Sequence, residues 1–279
     1  MHPNARVPHE LSAPASARKQ HMNQIVRPGF LPLLLVGIAG GILSGLFGIG
    51  GGTIIVPALA LWLSMPQKLS AGTSVAAILP TAIVGATTYG LQGHVDWIAG
   101  ACLAVGIVAG AQLGAALLAK LPVGAIQWGF MGFLAIVIVS LWFVVPQRGD
   151  EIEISVLTVI MLIVTGFITG VLSGLLGVGG GVVVVPVLMF FFSSSDLIAK
   201  GTSLFMMIPG SISGTIGNFR RQNVDLRAAA IVGLGACVFV PVGNLFAVLI
   251  DPFWGNVAFS IYLVFILIQM LVRKLRKKK

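Results

Sequence analysis

Two stretches decide the reading of this chain: "LSGLFGIGGGTIIVPAL" from Leu43 to Leu59 and "LSGLLGVGGGVVVVPVL" from Leu172 to Leu188. Eleven of their seventeen aligned positions are identical, among them Ser44 and Ser173, Gly50–Gly52 and Gly179–Gly181, and Pro57 and Pro186. Each sets residues hostile to helices inside a strongly apolar run. Three adjacent glycines carry a helix penalty near 1 kcal/mol each, and a proline inside a helix blocks or kinks it. The first apolar run, residues 30–63, would make a helix of about 51 Å, against a hydrocarbon core of about 30 Å. The pattern predicts a helix to about Phe47, a turn or unwound segment at Gly48–Gly52, and a shorter leg returning toward the same face.

The surroundings are those of a membrane. The chain is 57% hydrophobic and 9% charged, with a mean hydropathy of +1.03; soluble domains carry roughly 25% charged residues. Long blocks free of Lys, Arg, Asp and Glu follow one another, including 28–67, 69–95, 97–119, 121–147, 154–195, 201–219, 228–250 and 252–272. About 20 such residues span a bilayer, so the chain reads as a polytopic membrane protein. The net charge of +9 is collected at the edges, in Arg6, Arg18, Lys19 and Arg27 and in the tail from Arg273, as positive-inside topology requires. Contact with membrane lipid follows, and no nucleic acid is implied.

The opening motif recurs at an offset of 129 residues, and so do later landmarks. "GTS" at Gly72–Ser74 matches "GTS" at Gly201–Ser203, Pro80 matches Pro209, Gly85 matches Gly214, and Val95-Asp96 matches Val224-Asp225. No gap intervenes over a hundred residues. The expected fold is an all-α polytopic membrane protein of two homologous repeats of about 120 residues, each with a Gly-broken helical hairpin and three transmembrane helices. The expected organisation is a disordered cytoplasmic tail at 1–27, repeat 1 at 28–148, a polar linker at 149–153 and repeat 2 at 154–279 with its basic cytoplasmic tail. A hairpin in each half gives an odd number of passes and therefore inverted halves. With the N-terminus inside, that arrangement leaves Arg148 and Lys200 outside; parallel halves leave Lys68, Lys120 and Lys200 there. Block length favours inversion, and both schemes keep the two termini in the cytoplasm.

The glycine runs match no nucleotide motif: a phosphate-binding loop needs a Lys after its last glycine, and a dinucleotide fingerprint needs a soluble strand-turn-helix unit. Gly41 and Gly45, and Gly106, Gly110 and Gly114, have the spacing of close helix packing. Adjacent glycines point around a helix instead. Non-helical backbone at membrane depth survives only where protein or a watery cavity covers it, and broken helices at matching places in two halves point to a transporter's binding site. Freed N–H groups and a following helix start attract anions. The candidate substrate-binding set is therefore Ser44, Gly50, Gly51, Gly52, Thr73, Ser74, Ser173, Gly179, Gly180, Gly181, Thr202 and Ser203, the hydroxyls serving as neutral donors or as helix caps. Asp96 and Asp225 read as N-caps. Gln112, Gln127, Asn244 and Asn256 are buried amides that line a path or tie helices together.

The spans show no acidic residue and no Lys or Arg, so a small, singly charged anion held by neutral donors is expected. Cys102 and Cys237 read as packing residues, and His94 stands alone, so neither a metal site nor a cofactor is expected. No Ser/His/Asp, Ser/Lys or metal constellation supports an enzyme. A structural scaffold would leave the paired glycine motifs unexplained.

The doubled "SGLxGxGGGxxxVPxL" signature with "GTS" after each copy resembles the TauE/SafE family of membrane permeases, the sulfite exporter or toluene-sulfonate uptake permease family, over nearly everything after the N-terminal tail. The resemblance implies transport of sulfur-containing anions, sulfite or organosulfonates such as sulfoacetate, across the bacterial cell inner membrane. Export by alternating access is expected, with uptake of organosulfonates or small carboxylates as the alternative.

Overall fold

The computed structural model describes residues 28–143 and 155–276. The tail at 1–27, the linker at 149–153 and the last three residues lie outside them. The described residues form ten helical elements: α1 (Phe30–Phe47), α2 (Gly52–Pro57, continued by a π turn over Ala58–Trp62), α3 (Gln67–Leu91), α4 (Trp97–Lys120), α5 (Val123–Phe143), α6 (Val156–Leu176), α7 (Gly181–Phe191), α8 (Asp196–Phe219), α9 (Leu226–Leu249) and α10 (Pro252–Arg276). Six of them, α1, α3, α4, α6, α9 and α10, are long and apolar enough to cross a membrane.

Local chemistry sets the boundaries. Asp96 and Asp225 accept the Ala99 and Ala228 N–H and open α4 and α9. Ser155 and Ser195 do the same for α6 and α8. Helix α1 stops where Gly48 turns left-handed, at φ 68°, and gives its N–H to Ser44 O; α6 stops identically at Gly177, φ 73°, on Ser173 O. Such a residue at the end of a helix is most often glycine, which has no Cβ to clash. Pro57 does not end the returning leg. The leg widens instead into the π turn, where Leu63 N–H reaches Ala58 O.

Both legs reverse direction. Ile55 lies against Gly40, and Ile55 and Leu59 share a core with Leu33 and Val36 near the start of α1. Val184, Val185 and Leu188 of α7 likewise share a core with Leu162 of α6. Each returning leg, 11 residues, is about 16 Å long, roughly half a hydrocarbon core.

Helix pairing is reciprocal between the halves. Helix α1 packs on α9 and α6 packs on α4, while α3 and α8 pair with each other. These contacts are backbone-close. A Cβ at Gly41 would sit 2.3 Å from Ala236 O, and one at Gly110 would sit 2.1 Å from Phe167 O. The four-residue glycine spacing is therefore a packing device here, since small residues let helix backbones approach. Helices α5 and α10 pack together beside the glycine turns, and the Phe47 ring stacks on Phe259 at 4.9 Å.

Candidate functional site

Between each first leg and its returning leg runs a short non-helical segment, 48–51 in one half and 177–180 in the other. The two lie side by side and antiparallel. Gly52 faces Val178 O and Gly177 O, whereas Gly181 faces Gly48 O and the Ile49 backbone. At the middle of the crossing, Gly50 and Gly179 both pack on Ile78 of α3 and Met207 of α8, two residues 129 positions apart. Ile49 and the glycines from Gly48 to Gly52 and from Gly177 to Gly181 are all buried, so the crossing is closed. At Gly52 and Gly181, which are already helical, the absence of a side chain serves this approach: a Cβ would stand 2.6 Å from Val178 O and 2.4 Å from Gly48 O.

Helices α2 and α7 begin behind Gly51 and Gly180 with no side-chain cap. The first N–H groups of a helix have no partner within it, and the dipole adds partial positive charge there. Each segment thus leads into a buried helix start that carries partial positive charge. Near the second segment, Ser173, Leu176, Val178, Gly180 and Val182 line a recess of about 10 Å³, room for about one water molecule.

The hydroxyls of the two "GTS" motifs divide their work. Ser74 donates to Gly177 O at 2.7 Å and Ser203 donates to Gly48 O, so each fastens the turn of the opposite half. Thr73 accepts the Asp225 N–H and Thr202 accepts the Asp96 N–H, both at 2.9 Å, tying down the loops before α9 and α4. The motif's glycine gives room for that loop: Gly72 lies under Asn223 O and Gly201 under His94 O. In this closed arrangement the Ser74 and Ser203 protons are committed to backbone carbonyls. The Ser44 hydroxyl is different, being buried with no hydrogen-bond partner. Ser173 is also buried and lines the recess.

The amides act between helices, and the expectation that all four are buried is corrected: Asn244 is buried, Gln127 and Asn256 are half-buried, and Gln112 is exposed. Gln92 donates to Asn244 at 2.8 Å, joining α3 to α9, and Gln112 donates to the Ser213 carbonyl and hydroxyl, joining α4 to α8. Asn256 leaves its Nδ2 buried and without a partner.

Sequence reasoning missed several residues beside the turns. Thr169 packs its methyl against Gly180 and leaves its hydroxyl buried and unpartnered. The Thr53 hydroxyl bonds to that of Tyr262 on α10, whose ring stacks on Phe47. Asp196 and Lys200, in the first turns of α8, are buried and paired at 3.2 Å, a buried charge pair that the sequence reading did not single out. Their spacing of four before "GTS", without a match in the first half, was the available signal. Among the described residues no group of three or more His, Cys, Asp or Glu side chains is placed to hold a metal ion.

The Sulfite exporter TauE/SafE family profile matches residues 9–141 and 162–279. The "Probable membrane transporter protein YdhB" of Bacillus subtilis is 26% identical over 217 residues, covering 77% of this chain and 89% of its own. A "Probable membrane transporter protein" of Haemophilus influenzae is 33% identical over 158 residues, 53% of this chain and 58% of its own. The B. subtilis "Probable membrane transporter protein YunE" is 40% identical over 81 residues, 29% of this chain and 30% of its own. No solved structure matches the chain.

Proposed function

Since this chain belongs to the sulfite exporter TauE/SafE family and is a membrane transporter, we propose that it moves small sulfur-containing anions, sulfite or organosulfonates such as sulfoacetate, out of the cell by alternating access. One observation carries this reading. Two non-helical segments cross antiparallel at the centre of the helix bundle and open onto the uncapped starts of α2 and α7. In transporters built from repeats, such broken helices form the substrate site, and helix starts face anionic groups.

The reading includes inverted repeats of 28–148 and 154–279 in the bacterial inner membrane, with both termini cytoplasmic. The two reversing legs support the inversion, since each gives its half an odd number of passes, and the reciprocal pairing of α1 with α9 and of α6 with α4 fits a two-fold relation between the halves. Ser44, Ser173, Gly50–Gly52 and Gly179–Gly181 form the substrate-binding surface. Thr73, Ser74, Thr202 and Ser203 hold it closed and offer their hydroxyls once the turns part.

Direction follows from charge. With the interior negative, outward movement of one negative charge is favoured by about 2.3 kcal/mol per 100 mV. Proteoliposomes loaded separately with sulfite, thiosulfate, sulfoacetate, taurine or lactate test the proposal. Release of a sulfur anion should exceed that from protein-free vesicles and rise when the outside is made positive. Release equal to protein-free vesicles for every compound refutes the proposal.

A further inference from the structure

A buried ion pair stands on the first turns of α8, whose backbone packs on the first glycine turn. Asp196 opens α8 and Lys200 follows one turn later, with exposures of 2% and 7%. Lys200 Nζ lies 3.2 Å from Asp196 Oδ2, while Asp196 Oδ1 is buried with no hydrogen-bond partner. The Lys200 backbone closes directly on the turn: a Cβ on Gly48 would sit 2.6 Å from Lys200 Cα. Ser203 joins them, donating to both Gly48 O and Lys200 O. Any motion that opens this turn therefore moves against the helix turn that carries the pair.

The other half has the same contact without the charges. There Gly177 closes on Ala71, and the positions 129 residues before Asp196 and Lys200 are Gln67 and Ala71. The turn's packing thus needs neither ion. Burying two ions costs several kcal/mol each in lost hydration, and a neutral pair of similar size is often as stable. A carboxylate with one oxygen unsatisfied is dearer still. Stability alone does not account for the pair.

We propose that Lys200 is the cationic station of the transport path and that Asp196 is its built-in counter-anion. A sulfonate or sulfite oxyanion replaces the Asp196 carboxylate on the Lys200 ammonium, and Asp196 returns when the anion leaves. This rests on the anion-transport reading and names its recognition chemistry. A carboxylate is a planar two-oxygen acceptor, so a group that replaces it should also present several oxygens; sulfonates, sulfite and carboxylates qualify, and halides do not. The displaced Asp196 carboxylate is taken up by water that enters as the turn parts. The empty carrier closes with the pair neutral, leaving no lone ammonium in the interior, and the loaded carrier bears only the added charge of its anion.

The test is calorimetric titration of sulfoacetate, with chloride as the contrasting anion, into full-length protein in lipid nanodiscs. The proteins are the wild type, D196N, K200Q and the D196N/K200Q double variant. Removing the competitor in D196N should tighten sulfoacetate at least about fivefold, the lower end of ordinary coupling between sites. K200Q should weaken it by at least as much, and D196N should change nothing in the K200Q background. If D196N yields no folded protein, Asp196→Ser, which also removes the charge and keeps a short polar group at the start of α8, carries the same expectation. Unchanged or weaker binding in the charge-removed variant, or equal tightening without Lys200, overturns the exchange while leaving the transport reading intact. A wild type that neither binds nor transports any sulfur anion overturns both.

Discussion

Alanine at Gly51 tests the geometry on which the site rests. Gly51 has φ 72°, and a Cβ there would stand 2.6 Å from Gly40 O, a backbone atom held within α1. The left-handed conformation costs an alanine about 1–2 kcal/mol. Overpacking against an atom that cannot rotate away adds about 1–3 kcal/mol, so Gly51→Ala should destabilise the fold by about 2–5 kcal/mol. Gly180 carries the same strain, at φ 88°, but its nearest neighbour is the Thr169 methyl. A side-chain shift there costs about 0.5–1.5 kcal/mol, so Gly180→Ala should be the milder of the two. The reference must be chosen with care. Gly110 sits inside a helix contact and collides with Phe167 O, whereas Gly132 has nothing within 4 Å. Gly132→Ala lies in a helix and should gain up to about 1 kcal/mol in propensity. Unfolding free energies in mixed micelles, from titration with a denaturing detergent, give the comparison. If Gly51→Ala falls within about 0.5 kcal/mol of Gly132→Ala, the turn does not approach α1 as described.

The clamps give further expectations. Ser74→Ala and Ser203→Ala each strand a buried carbonyl, a loss of about 1–3 kcal/mol felt mainly in the closed state. Hydrogen exchange around 177–183 and 48–54 respectively should accelerate about 5- to 150-fold, since 1.4 kcal/mol is a factor of ten; unchanged exchange would remove the clamping role. Thr73→Val and Thr202→Val leave the Asp225 and Asp96 N–H without their acceptors and should lower stability by about 1–3 kcal/mol. Thr→Ser at either site should restore most of it, and Val variants as stable as the wild type would remove the tying role.

The glycine turns were legible because covalent constraints act locally. The end of α1 at Phe47 and the restart at Gly52 fall where backbone conformation alone demands a break. Asp96 and Asp225 were legible for the same reason, since a helix cap is decided within four residues. The division of labour within "GTS" was not. Nothing in three residues reveals that Thr73 reaches a loop 152 positions away or that Ser74 reaches one 103 away. The burial of Asp196 and Lys200 was not legible because they interrupt two apolar blocks, which looks like a span edge, while tertiary packing draws the start of α8 against Gly48. Thr169 and Tyr262 escaped because single hydroxyls in apolar helices carry no pattern.

What the two halves share and where they differ separates two kinds of work. The turns, the Ser clamps and the Thr ties are matched across the halves, and each clamp on one half holds the turn of the other. Opening either turn would therefore break a bond anchored in the opposite half. Matched machinery of that kind suits alternation, since opening toward one side and toward the other should differ little in energy. The ion pair breaks the match at one end only. Lys200 and Asp196 stand where Ala71 and Gln67 stand in the other half, so the charge that would favour an anion is met on one side of the crossing. An anion leaving by the Gly48 side would pass a cation that already carries its own replacement carboxylate. An anion leaving by the Gly177 side would pass Ala71. If the proposed transport holds, the shared glycines would supply the motion and the unshared pair the preference for an oxyanion and for a side.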